Sequence, residues 1–195
     1  MFAVKKQFLN LVFLGLLISG CATVAVNSDY DNAADFSKLK TYQWAAEAQE
    51  RTGDPRIDNS LTDSRIRRAV DSALGGRGFL KVDSGNPDFL VGYQAAIKKE
   101  LSVQTVDMPY YTPSTRDLAT GHYYGTNWAH GGAQTFVNEY EEGTLYLDIV
   151  NPQTKKIMWR GIGKATVLED AKPEKREARI NEGVKKILSQ FPPQG

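Results

Sequence analysis

Apolar residues recur along this chain with two different periods, and the places where the period changes mark out the elements. After Asn59 and Ser60, either of which can cap a helix, Leu61, Ile66, Ala69, Val70, Ala73 and Leu74 follow at three- and four-residue steps. That spacing gathers them on one side of a helix, and Gly75 with Gly76 supplies its stop, which predicts a helix over 60–76. Arg65, Arg67, Arg68 and Asp71 then form the opposite, solvated face. Toward the C-terminus Ile180, Val184, Ile187, Leu188 and Phe191 make a second stripe, preceded by Pro173 and Glu174 and ended by Pro192 and Pro193. Proline at the first turn and an acid near the positive end of the dipole predict a second helix, over 173–190. Burying its five apolar side chains contributes on the order of 7 to 15 kcal/mol before conformational entropy is charged against it.

The intervening sequence alternates instead. Phe89, Val91, Tyr93, Ala95 and Ile97 occupy one face at period two, predicting a strand over 88–103 in which Gly92 marks a bulge or a close approach. Leu145, Leu147 and Ile149 share a face, as do Ile157 and Trp159, and the polar stretch from Asn151 to Lys155 joins the two runs as a hairpin. The register that sets Ile149 opposite Ile157 and Leu147 opposite Trp159 leaves Asp148 and Arg160 diagonal on the far side; a two-residue shift keeps the same faces. Shorter β-branched or aromatic runs at 23–26, 41–45 and 79–82 add strands. The fold class is therefore α+β, a two-layer sandwich in which a largely antiparallel twisted sheet of about five or six strands carries two helices on one face. Residues 46–59 are a loop. The stretch from 107 to 135 has no period at all and reads as a loop, with Tyr110, Tyr111, Tyr123, Tyr124 and Trp128 as candidate contacts that could stack on a saccharide or peptide.

The first 20 residues stand apart. Lys5 and Lys6 precede an apolar run from Phe8 to Ile18, then Ser19 and Gly20 lead into Cys21, the chain's one cysteine. Eleven helical residues reach about 16 Å, roughly half the ~30 Å of a hydrocarbon core, so the run is a secretory signal rather than a span. The stretch Leu17-Ile18-Ser19-Gly20-Cys21 resembles the bacterial lipobox. That resemblance implies cleavage between Gly20 and Cys21, a diacylglyceryl group on the sulfur, further acylation such as palmitate on the new amino terminus, and anchoring that one chain alone would not give. Residue 22 is alanine, not the aspartate associated with inner-membrane retention, which directs the expectation to the outer membrane, facing the periplasm. The domains expected are thus a removed signal over 1–20 and a single periplasmic α+β domain over 21–195, attached through Cys21.

Charge narrows the function by exclusion. The 24 basic residues are balanced by 23 acidic ones, interspersed along the chain, which is not the concentrated basic surface of a nucleic-acid binder. Phosphate loops, H-E-x-x-H and G-x-S-x-G are all absent, and an acylated Cys21 offers no nucleophile. His122 and His130 with Asp117 fit no standard zinc spacing, so neither metal nor cofactor is expected. Glu139, Glu141, Glu142 and Asp148 would serve a glycosidase only with two of them about 5 to 9.5 Å apart across a sugar-sized cleft. The simpler expectation is that they charge the strand surface, Asp148 pairing with Arg160 or Lys156.

Taken in order, the lipobox, Asp29-Tyr30-Asp31 with Asp35-Phe36-Ser37, Thr41-Tyr42-x-Trp44, Pro87-Asp88-Phe89-Leu90-Val91, Glu142-Gly143-Thr144-Leu145, Trp159-Arg160-Gly161 and the closing Ile187-Leu188-x-x-Phe191-Pro192-Pro193 resemble the bacterial lipoproteins that carry domain of unknown function 4136. The resemblance spans nearly the whole mature chain and implies no reaction or catalytic residue. The expected role is a non-enzymatic binding or assembly module. It is held to the membrane by its lipid anchor and meets an envelope protein or a cell-wall component through the sheet face opposite the helices or through 107–135. The alternative is a carboxylate-dependent periplasmic hydrolase of saccharide or cell-wall material.

Overall fold

A computed structural model of the chain describes residues 24–45, 52–111, 128–168 and 170–193, with backbone alone at 108–111 and 128–132. The elements are β1 (Ala25–Tyr30), β2 (Thr41–Trp44), α1 (Ser60–Gly75), β3 (Leu80–Lys81), β4 (Phe89–Tyr111), β5 (Trp128–Val150), β6 (Ile157–Thr166) and α2 (Pro173–Leu188). The strands form one sheet in the order β1-β6-β5-β4-β2-β3. Three neighbouring pairs are antiparallel, whereas β2 lies parallel to both β4 and β3. The fold is α+β, as expected. Asn59 caps α1, its side chain accepting from the Thr62 amide at 2.9 Å, which satisfies one of the amide donors a helix start leaves open.

Both apolar helix stripes press on the same sheet face. Val70 and Leu74 of α1 and Val184, Ile187 and Leu188 of α2 meet Phe89, Val91, Leu147, Ile149 and Trp159, all essentially without solvent contact. Phe191, just past α2, is the hub of an aromatic cluster: Phe36, Phe79, Phe89 and Trp159 surround it with ring centroids 5.2 to 6.0 Å away. Those spacings are in the range where tilted and edge-on aromatic pairs attract beyond their buried area.

Side chains pin the parallel strand. Asp88, at the mouth of β4, accepts from the amides of Lys40 and Thr41 and from the Thr41 hydroxyl at 2.8 to 3.0 Å, and these bonds hold its carboxyl below the usual range. One residue into each strand, Tyr42 stacks on Phe89. Here the expected solvated face of α1 is corrected. Asp71 accepts from the Tyr42 hydroxyl, the Trp44 indole and Lys81, each at 2.9 Å, while Asp63 accepts from the Tyr93 hydroxyl and from Arg67, whose guanidinium lies 4.5 Å over the Trp44 ring. Buried phenols and an indole need partners, and these helix carboxylates supply them.

Two further expectations change. In the hairpin, Ile149 faces Trp159, Leu147 faces Gly161, and Asp148 is directly opposite Arg160 rather than diagonal to it, with an irregularity between Ile149 and Val150. A Cβ at Gly161 would overlap both the Trp159 indole and Ile187, so the indole occupies the volume that the glycine leaves empty and thereby selects this register. Ile157 is consequently displaced from the core and stays 44% exposed. Second, the stretch from 107 to 135 is not a loop at its ends. Strands β4 and β5 remain paired from Glu100 opposite Tyr140 out to Tyr111 opposite Trp128, with one irregularity between Asp107 and Pro109. Strand β6 leaves at Thr166, opposite Glu142, and the Val167 amide adds a last bond to the Glu141 carbonyl. Beyond that point the hairpin is a two-stranded arm about 40 Å long. Apolar side chains fall on both its faces, which is why no alternation announced it. Strand β1 also starts later than the sequence predicts, at Ala25.

Candidate functional site

Past Trp159 the buried sheet face loses bulk. Strands β4, β5 and β6 contribute two consecutive cross-strand rows, Ala95–Leu145–Gly163 and Ile97–Gly143–Ala165, in place of the larger Val91–Ile149–Trp159 row deeper in the core. Over these small residues the N-terminal halves of α1 and α2 do not fill the space, and a cleft of about 540 Å³ remains between helices and sheet. That volume lies within the range of small-molecule sites. The α2 wall carries Ile180, Ile187 and Gly183, where an added Cβ would meet nothing within 4 Å. Leu61, expected in the α1 core stripe, sits at the mouth instead and is 64% exposed. Val24 lines the cleft as well, near Gly163.

The rim is cationic. Arg56, Arg65, Lys175, Arg176 and Arg179 border the cleft, and among the described residues neither an acid nor an aromatic residue lines it. Arg56 is committed elsewhere, to Glu141 at 2.6 Å and Asp54 at 2.7 Å, and its guanidinium keeps the Glu141 carboxyl below the usual range. Arg179 donates to the Thr166 carbonyl at 2.6 Å. Among the described residues no carboxylate pairs with Arg65, Lys175 or Arg179.

The candidate carboxylates do not converge. Glu139 bonds Lys99, Glu141 bonds Arg56, Glu142 bonds Lys164, and Asp148 forms a two-pronged pair with Arg160 at 2.6 and 2.7 Å. The first two project on the helix side of the sheet and the last two on the other. Each therefore has its own cation, and Asp148 takes Arg160 as expected. The second sheet face is consequently an ion-paired surface, with Arg160 also 5.5 Å from the Tyr146 ring. The exposed apolar residues an assembly surface would require are concentrated on the arm, at Leu101, Val103, Val106, Phe136 and Val137.

Of the stacking candidates, Tyr110, Tyr111 and Trp128 have their backbone in the last rungs of the arm, and Tyr123 and Tyr124 lie outside the described residues. So do Gly20, Cys21, His122 and Asp117, whereas the backbone of His130 pairs with Pro109. Among the described residues no three His, Cys, Asp or Glu side chains gather as metal ligands, and no helix is long and apolar enough to cross a membrane. Sequence reasoning missed the cleft, though one signal for it was present. In Gly161-x-Gly163-x-Ala165 three small residues share the core face of one strand, and a core face without bulk is either closely covered or hollow.

The fold and cleft define a two-layer α+β protein with a basic-rimmed apolar site. The family model described as Domain of unknown function (DUF4136) matches residues 26–193, and the chain belongs to that family. No curated protein matches it. Among solved structures, a PDZ domain protein from Parabacteroides distasonis is similar at 16% identity, covering 89% of this chain and 36% of its own, with a TM-score of 0.53. The chain thus spans about a third of that protein, and the likeness is one of fold. A PelC dodecamer from Paraburkholderia phytofirmans matches at 8% identity, over 89% of this chain and 100% of its own, with a TM-score of 0.41.

Proposed function

We propose that the protein is a non-enzymatic binding module of the bacterial envelope, anchored through a lipid on Cys21 at the periplasmic face of the outer membrane, and that the cleft is where it binds. The cleft carries this reading: it is a ligand-sized hollow with apolar walls, with Arg65, Lys175 and Arg179 at its rim in no ion pair with a described acid, and no acid among the described residues of its lining. Hydrolysis has no comparable support, because the acids that would perform it are each paired with a cation on one of two opposite faces. Tether length supports the placement. Val24, which lines the cleft, follows Cys21 by three positions, a reach of roughly 10 Å even when extended, so an anchored domain would hold the cleft beside the bilayer.

Replacing the cysteine tests the anchor. The Cys21→Ser chain is expected to leave the membrane fraction or to persist as an unprocessed precursor in intact-mass measurement. Fractionation and mass identical to the wild type would overturn the anchored reading.

A further inference from the structure

Building on the cleft as the binding site, we infer that its ligand is an anionic phospholipid taken from the membrane, one acyl chain lying along the small-residue floor and the phosphate held at the rim by Arg65, Lys175 and Arg179.

The shape and chemistry of the walls select this class. The floor consists of two adjacent rows of Ala, Leu, Ile and Gly residues crossing β4, β5 and β6, and Ile180 and Ile187 line the cleft from α2. An apolar trough of this kind suits hydrocarbon. A saccharide would want aromatic faces to stack on, and among the described residues no aromatic one lines the cleft. An extended peptide would want an open strand edge, but the cleft opens onto a sheet face whose three strands already bond one another. The rim completes the match. Arg65 and Arg179 are half-buried and Lys175 exposed, on two different helices, and no described acid neutralises them. Guanidinium groups are suited to phosphate oxygens by their fork geometry. Asp54 and Glu141 are both held by Arg56. Position supplies the source: Val24 lines the cleft three positions after Cys21 in the sequence, so a domain anchored there would have phospholipid, the abundant amphiphile, at hand.

Photolabelling reads the site directly. The full-length protein is incorporated into phosphatidylcholine vesicles doped with phosphatidylglycerol, phosphatidylcholine or palmitic acid, each carrying a diazirine on its acyl chain, then irradiated and mapped by peptide mass spectrometry. Phosphatidylglycerol is expected to label α2 and β6 residues of the cleft. At Gly183 an added Cβ would meet nothing within 4 Å and leucine favours a helix over glycine, so Gly183→Leu is expected to keep its fold, as circular dichroism would check, while this labelling falls by roughly tenfold or more. Joint reversal by Arg65→Glu and Lys175→Glu should weaken phosphatidylglycerol labelling by a similar factor, roughly tenfold, and leave phosphatidylcholine labelling unchanged. Labelling outside the cleft, labelling indifferent to Gly183→Leu, or palmitic acid labelling the cleft as strongly as phosphatidylglycerol would each overturn the inference. The anchored reading stands or falls separately, on Cys21→Ser.

Discussion

Strands β4 and β5 are paired along their whole length, yet their two halves live in different environments. In the inner half, where β2 and β6 extend the sheet on either side of the pair, Val91 is 1% exposed under both helices; in the outer half Val103, on the same face of the same strand, is 62% exposed. Identical residue type, identical strand and identical face lead to opposite burial, so what differs is coverage. A two-stranded ribbon is marginal in water, and the arm must draw its order from continuity with the covered sheet. Stability in this molecule should accordingly fall off from the aromatic hub toward the arm tip.

The contrast can be tested where it is steepest. Trp159→Ala removes the side chain that fills the space over Gly161 and borders Phe191, and should cost about 3–5 kcal/mol in urea unfolding. A smaller loss measures the covered half by pH. Burial, reinforced by bonds to Asp71 and Asp63, pushes the Tyr42 and Tyr93 phenols above their ordinary value near 10. The unfolded chain then gives up these protons first as pH climbs, so their contribution is whole below about pH 10 and is lost as pH rises through the folded-state values. Urea midpoints should therefore drop as pH rises above about 10, and Tyr42→Phe should flatten that drop. The smallest effect belongs to the arm. Val103→Thr keeps the β-branched shape on an exposed strand and should change stability by less than about 0.5 kcal/mol; a cost near that of a core substitution would show the arm to be packed against something in solution.

What the sequence disclosed follows the same division. Helix boundaries were legible because each stripe is long, one-sided and bracketed by Asn59, Pro173 and glycines that have local meanings. The paired strands at 145–159 were legible as faces but not as a register, because that depends on a void at Gly161 and on Ile187 from a helix met only in three dimensions. The parallel seat of β2 was hidden for a similar reason: Asp88 reaches Thr41 across 47 residues, and nothing near either position signals the other. The arm escaped notice because its apolar residues fall on both faces, so there was no period to detect. The cleft is assembled from small residues on three strands and a helix. Each looks unremarkable in its own segment, and only the cross-strand register aligns them into a hollow.

Strand β1 pairs along the outer edge of β6, Ala25 opposite Lys164 and Tyr30 opposite Trp159. The first strand made is therefore matched to nearly the last. During synthesis it has no partner until the chain has been made through β6, and any product truncated before Ile157 would leave β1 and the β5 flank as two unmet hydrogen-bonding edges. Completing the sheet with its earliest segment makes the finished edge a report that synthesis has passed β6.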